Sequence, residues 1–265
     1  MSASQHGAKF ALYAWLLSGK RCQEPFLDIS GVVAILFAMG RPKRAADGGL
    51  IYHVLNRANA RLAIFDKDGD YEAFERILEE AVDRTGTGLL AYCLMPNHWH
   101  LVVYPMKDGE LSRFTGWLTL THTQRWHAYR HSAGEGHVYQ GRFKSFPIQD
   151  DYHFINVCRY VERNALRANL VTHAEDWRWG SLYRWNQGTS KEKAILSTWP
   201  VRRSPNWIDY VNQPQSESEL KAIRNSVKRG CPMGDETWSS KMVARLGLES
   251  TLRPHGRPKK ERNGS

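Results

Sequence analysis

The stretch Gly88-Leu-Leu-Ala-Tyr-Cys-Leu94-Met-Pro-Asn97-His98-Trp-His-Leu-Val-Val-Tyr104 decides the fold. Gly88 to Leu94 is an apolar run of strand length, and Met95-Pro96-Asn97 supplies turn residues. His98 to Tyr104 then returns as a second run, so the pair reads as an antiparallel hairpin. Side chains alternate faces along a strand, which sends His98 and His100 to one side and Trp99 to the opposite, core-facing side. Two imidazoles side by side on one face can hold a divalent metal. They can equally form polar contacts on a sheet surface. With 11 histidines in 265 residues the spacing carries little weight alone.

Working outward, Leu50 to Asn56 reads as a first strand. Asp70 to Asp83 carries Tyr71, Phe74, Ile77, Leu78 and Ala81 at helical spacing. Downstream of the hairpin, Glu110 to Arg130 is a long helix with Leu111, Phe114, Trp117 and Leu118 on its apolar side. Arg142 to Gln149 is a fourth strand, and Asp150 or Asp151 can cap a further helix running to about Ala168. The order strand-helix-strand-strand-helix-strand predicts an α+β fold, a ferredoxin-like split βαβ antiparallel sheet with helices.

The last of these helices carries Arg159-Tyr160-Val-Glu-Arg163-Asn164-Ala-Leu-Arg167. Positions four apart share a helix face, so Tyr160 and Asn164 point the same way, and Arg159, Arg163 and Arg167 form a neighbouring stripe suited to phosphate. A buried aromatic beside a solvated arginine face is the plainer alternative. The histidines change the balance: Asn164 can lend a neutral oxygen to a cation at His98 and His100, while Tyr160 brings its phenol to a phosphate held there. Imidazole with an amide or carboxylate oxygen suits Mg²⁺ or Mn²⁺, and no Cys or third His at familiar spacing suggests a closed zinc site. A phenol is a poor nucleophile near neutrality, and a cation on the scissile phosphate offsets that. Tyr152 is the second choice of nucleophile. Tyr139 reads as a packing residue, and His127 with His131 as a solvated helix face.

Three segments together, Tyr92-Cys-Leu-Met-Pro-Asn-His98-Trp-His100-Leu-Val-Val, Gln140-Gly-Arg142-Phe-Lys144-Ser-Phe and Tyr160-Val-Glu-Arg-Asn164-Ala-Leu-Arg-Ala-Asn-Leu-Val, resemble the single-tyrosine HUH transposases. The likeness is to the REP-associated tyrosine transposase branch in particular. It spans about residues 39 to 187, Trp179-Gly-Ser-Leu-Tyr183 included. It implies an HUH-endonuclease type of fold, a divalent-metal site at His98 and His100, and Tyr160 as the nucleophile of a 5′-phosphotyrosine. Asn164 falls where relatives place a further polar ligand. Relatives act on single-stranded DNA, often beside hairpins of repeated palindromes, and occur as monomers or homodimers. Ala165 departs from the family, which commonly has Pro there.

Composition agrees with a polyanionic partner: 37 Lys and Arg against 27 Asp and Glu give +10. The longest apolar run, Gly31 to Met39, is far short of the roughly 20 residues that a span requires, so no membrane is expected. The four cysteines form no Cys-x-x-Cys and fit a cytoplasmic protein. Residues 1–38 lack a clear period and read as a poorly ordered extension or an early start, before a catalytic domain at 39–187. A linker is expected at 188–215, rich in Pro, Ser, Asn and Gln. A small helical basic DNA-binding tail at 216–265 would follow, with helices at Ser218 to Val227 and Asp235 to Leu246.

Arg142, Lys144, Lys228 and Arg229 are candidate DNA contacts. So are Arg41, Lys43, Arg257 and Lys259, in two Gly-Arg-Pro-Lys motifs that resemble minor-groove AT-hooks. The function expected is metal-dependent cleavage and transfer of single-stranded or hairpin DNA. Two alternatives are a transposase-derived DNA-binding regulator without turnover and an RNA-binding sheet. The latter would display stacking aromatics where this sheet displays histidines.

Overall fold

Residues 45–253 are described by a computed structural model. The expected N-terminal extension and both Gly-Arg-Pro-Lys motifs, with Arg41, Lys43, Arg257 and Lys259, lie outside them. Four strands form the sheet: β1 (Ile51–Arg57), β2 (Gly88–Met95), β3 (His98–Tyr104) and β4 (Lys144–Ile148). Their order is β2-β3-β1-β4 with every pairing antiparallel, as the strand-helix alternation predicts for a ferredoxin-like sheet. The β2–β3 hairpin closes at Met95↔His98 around Pro96-Asn97. The Pro96 carbonyl accepts from the backbone N–H groups of Ile64 and Phe65, which ties the turn to the loop ahead of the first helix.

Strand alternation gives the sheet two apolar faces. On one, Tyr52, Val54, Tyr92, Leu94, Trp99, Leu101 and Val103 meet α1 (Asp68–Thr85) and α2 (Glu110–Arg130). Both helices follow the 3.6-residue period of their sequence: α1 buries Tyr71, Phe74, Ile77, Leu78 and Ala81, and α2 buries Leu111, Phe114 and Leu118. Burial of one such large side chain contributes roughly 1.5–3 kcal/mol. Gly86, at φ 72°, stops α1 in a left-handed conformation that favours glycine.

On the other face, Ile51, Cys93, Met95, Val102, Phe146 and Ile148 meet α3 (Tyr152–Glu162) through Phe154, Val157, Cys158 and Val161. Asp151 caps α3 by accepting from the His153 N–H at 2.7 Å. The expected continuous helix to Ala168 is interrupted at Arg163, where ψ is near zero. A one-turn α4 (Asn164–Arg167) follows, and the Tyr160 carbonyl at the break accepts from the Arg167 guanidinium at 3.3 Å.

The stretch 188–215 was expected as a linker, but its tryptophans bring it into the fold. Trp207, in the short α7 (Trp207–Asn212), is fully buried and donates to Glu162 at 2.6 Å. Trp199 donates to the Leu90 carbonyl at 2.7 Å, and Ser197 to the Leu89 carbonyl at 2.8 Å, on the outer edge of β2. The short α5 (Ser181–Gln187) and α6 (Ser190–Lys193) precede this segment.

Beyond it, α8 (Glu217–Arg229) sinks Leu220 and Ile223 into the core beneath α3. From α9 (Glu236–Leu246), Val243 joins the core of the opposite face. Met233, between them, exchanges backbone hydrogen bonds with Pro147 and Gln149 along β4. Later segments therefore shield both outer strands, which blunts the tendency of an open edge to pair with another chain. Among the described residues, no helix is long and apolar enough to cross a membrane.

Candidate active site

Register places the histidines. On β3, His98 and His100 share a face with Met95 and Cys93 of β2 and with Arg57 and Leu55 of β1, the residues paired opposite them. This is the α3 side of the sheet, as alternation requires, and Trp99 points into the α1–α2 core. The two rings stand 5.0 Å apart between centroids at an interplanar angle of 80°.

A third imidazole, from His53 of β1, lies diagonally across the strand pair. Its Nε2 is 2.9 Å from Nδ1 of His100, with the rings parallel within 2°. Sequence reasoning passed over His53, although a histidine two places from the residue opposite His100 was the available signal. Arg57, paired with His98, was also passed over and is exposed.

From α3, Tyr160 projects into this group. Its ring meets His100 edge-on at 5.9 Å and His53 at 6.3 Å, and it is 8 % exposed. The Arg167 guanidinium lies over the phenol ring, 4.1 Å from its centroid. Arg167 also donates to the Asn164 amide oxygen at 2.9 Å, while the Asn164 Nδ2 is buried without a partner. Because the helix breaks between them, Tyr160 and Asn164 are joined through Arg167 rather than along one continuous helical face.

Burial, above all, keeps these imidazoles neutral. It pushes His98 down to about 4, with Arg57 and Arg167 adding to the effect, and His53 down to about 3. His100 is held well below the usual histidine range by burial first, then by His98, His53 and the two arginines. A neutral imidazole has one donor and one acceptor nitrogen. Nδ1 of His98 is 2.7 Å from Oδ1 of Asn97, an acceptor, so Nδ1 carries the proton and Nε2 keeps its lone pair.

That lone pair suits a divalent cation. Among the described residues no three His, Cys, Asp or Glu side chains form a ligand set. A cation here would therefore draw on two imidazoles and the Asn164 oxygen, with water or phosphate oxygens completing its shell. Such an open, mixed N/O set fits Mg²⁺ or Mn²⁺, and the unpartnered Asn164 amide shows that this carboxamide is not fully used by the fold.

The arginine stripe divides. Arg159 is buried, donates to the carbonyls of Gln213 and Pro214, and stacks on Tyr210. Arg163 donates to the carbonyls of Val211 and Asn212. Arg163 braces the last turn of α7 and Arg159 the segment just after it, and only Arg167 turns to the tyrosine. Their four-residue spacing is broken by the same kink at Arg163.

Of the remaining basic candidates, Lys144 and Arg142 are exposed. Lys144 shares a cross-strand row with Leu55 and His100, two strands and about 10 Å from the histidine. Lys228 is exposed, whereas Arg229 donates to the backbone carbonyls of Thr251 and Arg253. Tyr152 is 63 % exposed at the start of α3, stacked on His153 and two helical turns from Tyr160. His131 ends α2 at φ 52°, so it does not share a helical face with His127. Tyr139 is a packing residue, accepting from Trp99 Nε1 and bonded to His122.

Comparisons with known proteins place the chain among its relatives in sequence and structure. The chain is similar to a REP-associated tyrosine transposase solved bound to a REP hairpin, at 16 % identity over 55 % of this chain and 84 % of that one, with a TM-score of 0.43. It is also similar to a candidate transposase from Deinococcus radiodurans R1, at 17 % identity over 46 % of this chain and 96 % of that one, with a TM-score of 0.34. No curated protein matches. The family model described as transposase IS200-like matches residues 48–164, from the start of β1 through Tyr160 and Asn164. Over residues 48–164, then, the chain is similar to the IS200-like transposase family.

Proposed function

We propose that this protein cleaves and rejoins single-stranded DNA beside a hairpin, with Tyr160 as nucleophile. The observation that carries the reading is Tyr160 itself, set edge-on to His100 and His53 with the Arg167 guanidinium on its ring, inside an IS200-like domain. In the reaction the phenol oxygen bonds to phosphorus as the bond from phosphorus to the 3′-oxygen breaks. The phenol gives up its proton, the departing 3′-oxygen takes one, and a 5′-phosphotyrosine and a free 3′-hydroxyl result. Attack by a 3′-hydroxyl on the phosphotyrosine reverses these changes, so strands rejoin without an external energy source.

Arg167 favours this course, because a positive charge against the phenol stabilises the developing phenolate and attracts a phosphate. Arg57 and Lys144, exposed on the same sheet face, suit the flanking backbone. Mg²⁺ or Mn²⁺ at His98, His100 and Asn164 would withdraw charge from the phosphate oxygens. The chain's own part is to present neutral imidazoles, which burial does.

A second reading, DNA binding without turnover, draws on one observation. The Asn164 amide oxygen already accepts from Arg167, so its use by a cation requires that bond to yield. Incubation of end-labelled, hairpin-flanked single-stranded DNA with Mg²⁺ or Mn²⁺ separates the two. A metal-dependent covalent protein–DNA adduct, lost in Tyr160→Phe, supports cleavage. Tight binding with no adduct across a panel of hairpins supports the regulator.

A further inference from the structure

His53 has no part in the chemistry above, yet it is fully buried and makes a single hydrogen bond, to Nδ1 of His100. Its other nitrogen, Nδ1, is buried without a partner. Around it are the edge of Phe146 at 5.0 Å and the ring of Tyr160. As a packing residue His53 is a poor choice: a leucine would fill the same space without stranding a polar nitrogen. The cost makes sense only if the bond to His100 is worth keeping.

Two neutral imidazoles joined this way have two proton arrangements. In one, His53 donates from Nε2 to Nδ1 of His100, so the His100 proton sits on Nε2 and that atom has no lone pair to offer. In the other, His100 donates from Nδ1 to Nε2 of His53, and Nε2 of His100 is free to act as a ligand or acceptor. His98 is already fixed in the second pattern by Asn97.

We propose that His53 is a positioning residue that accepts the Nδ1–H of His100 and so keeps Nε2 of His100 unprotonated. Both histidines of the His-x-His pair then present Nε2, each oriented by an acceptor behind it. Outer-shell acceptors of this kind fix the tautomer and ring direction of imidazole ligands. The inference rests on the reading of His98 and His100 as a cation site.

Nitrogen-15 NMR of the metal-free protein, labelled at histidine, tests it without any cation. The wild type should show His100 protonated at Nδ1, and His53→Leu should lose that signature. His53→Gln, whose side-chain oxygen can accept in the same place, should keep it. Titration with Mn²⁺ followed by electron paramagnetic resonance should then show affinity ten- to a hundredfold weaker in His53→Leu and recovered in His53→Gln.

A wild-type His100 protonated at Nε2 would overturn the proposal, as would unchanged Mn²⁺ affinity in His53→Leu. A wild type that takes up no Mn²⁺ would instead overturn the cation site itself, leaving the tautomer measurement to decide the role of His53.

Discussion

The two faces of the sheet carry similar residues and treat them differently. Under α1 and α2, Tyr139 accepts from Trp99 Nε1 at 3.0 Å and its hydroxyl lies 2.7 Å from Nδ1 of His122. Under α3, Tyr160 stands against His53 and His100, with unpartnered nitrogens on His53 and Asn164. The first group is a closed polar network inside a core, and it contributes rigidity. The second is only partly satisfied by the fold, and partly satisfied buried groups are the ones available to a ligand. What separates a structural histidine–tyrosine pair from a chemical one here is the number of polar atoms left over.

Exchanging the tyrosines should break the comparison most sharply. Tyr160→Phe is expected to lower adduct formation by more than roughly a thousandfold, as removal of a nucleophile does. Tyr139→Phe should leave the adduct in place and cost about 2 kcal/mol of stability, since Trp99 and His122 lose their shared partner. Denaturant unfolding and the cleavage assay, run on both variants, give the two columns of that comparison. Chelation should come next in size. Stripping divalent ions is expected to reduce cleavage to background and Mn²⁺ to restore it, with hairpin binding retained in a gel-shift assay.

The arginines offer a smaller contrast. Arg167→Ala should slow adduct formation about ten- to a hundredfold. Arg159→Ala should leave the rate of the folded protein nearly unchanged while lowering stability by about 2 kcal/mol, because it frees the carbonyls of Gln213 and Pro214.

Acid should affect both faces alike. His53 and His122 are held near 3 and His98 near 4, all by burial first. The unfolded chain therefore takes up protons below about pH 6.5 that the folded protein refuses. Stability is complete above that pH and falls as pH drops toward 4, by about 1.4 kcal/mol per pH unit for each such histidine. His122→Phe should make that slope shallower, measured by urea unfolding at a series of pH values.

Much of this was legible in the sequence because it follows from short periods. Alternation put His98 and His100 on one face and Trp99 on the other, and α2 and β3 begin and end where their patterns do. The helical period brought Tyr160 to the histidines. It misplaced Arg159 and Arg163, because a uniform spacing assumes one uninterrupted helix and the chain kinks at Arg163. His53 was invisible for a different reason: its partner is set by cross-strand register, which no local pattern states. The stretch 188–215 looked like a connection by composition, yet Trp199 and Trp207 fasten it to β2 and α3. A few large aromatics outweigh many small polar residues when burial decides what is folded.

The atom to which DNA becomes attached defines the reaction. The most direct measurement is to trap the protein on a hairpin-flanked single strand with Mn²⁺, digest the adduct with protease and nuclease, and locate the modified peptide by mass spectrometry. A 5′-phosphonucleotide on Tyr160 is the expected result. Modification at Tyr152, or a cleaved strand with no nucleotide left on any tyrosine, would contradict it.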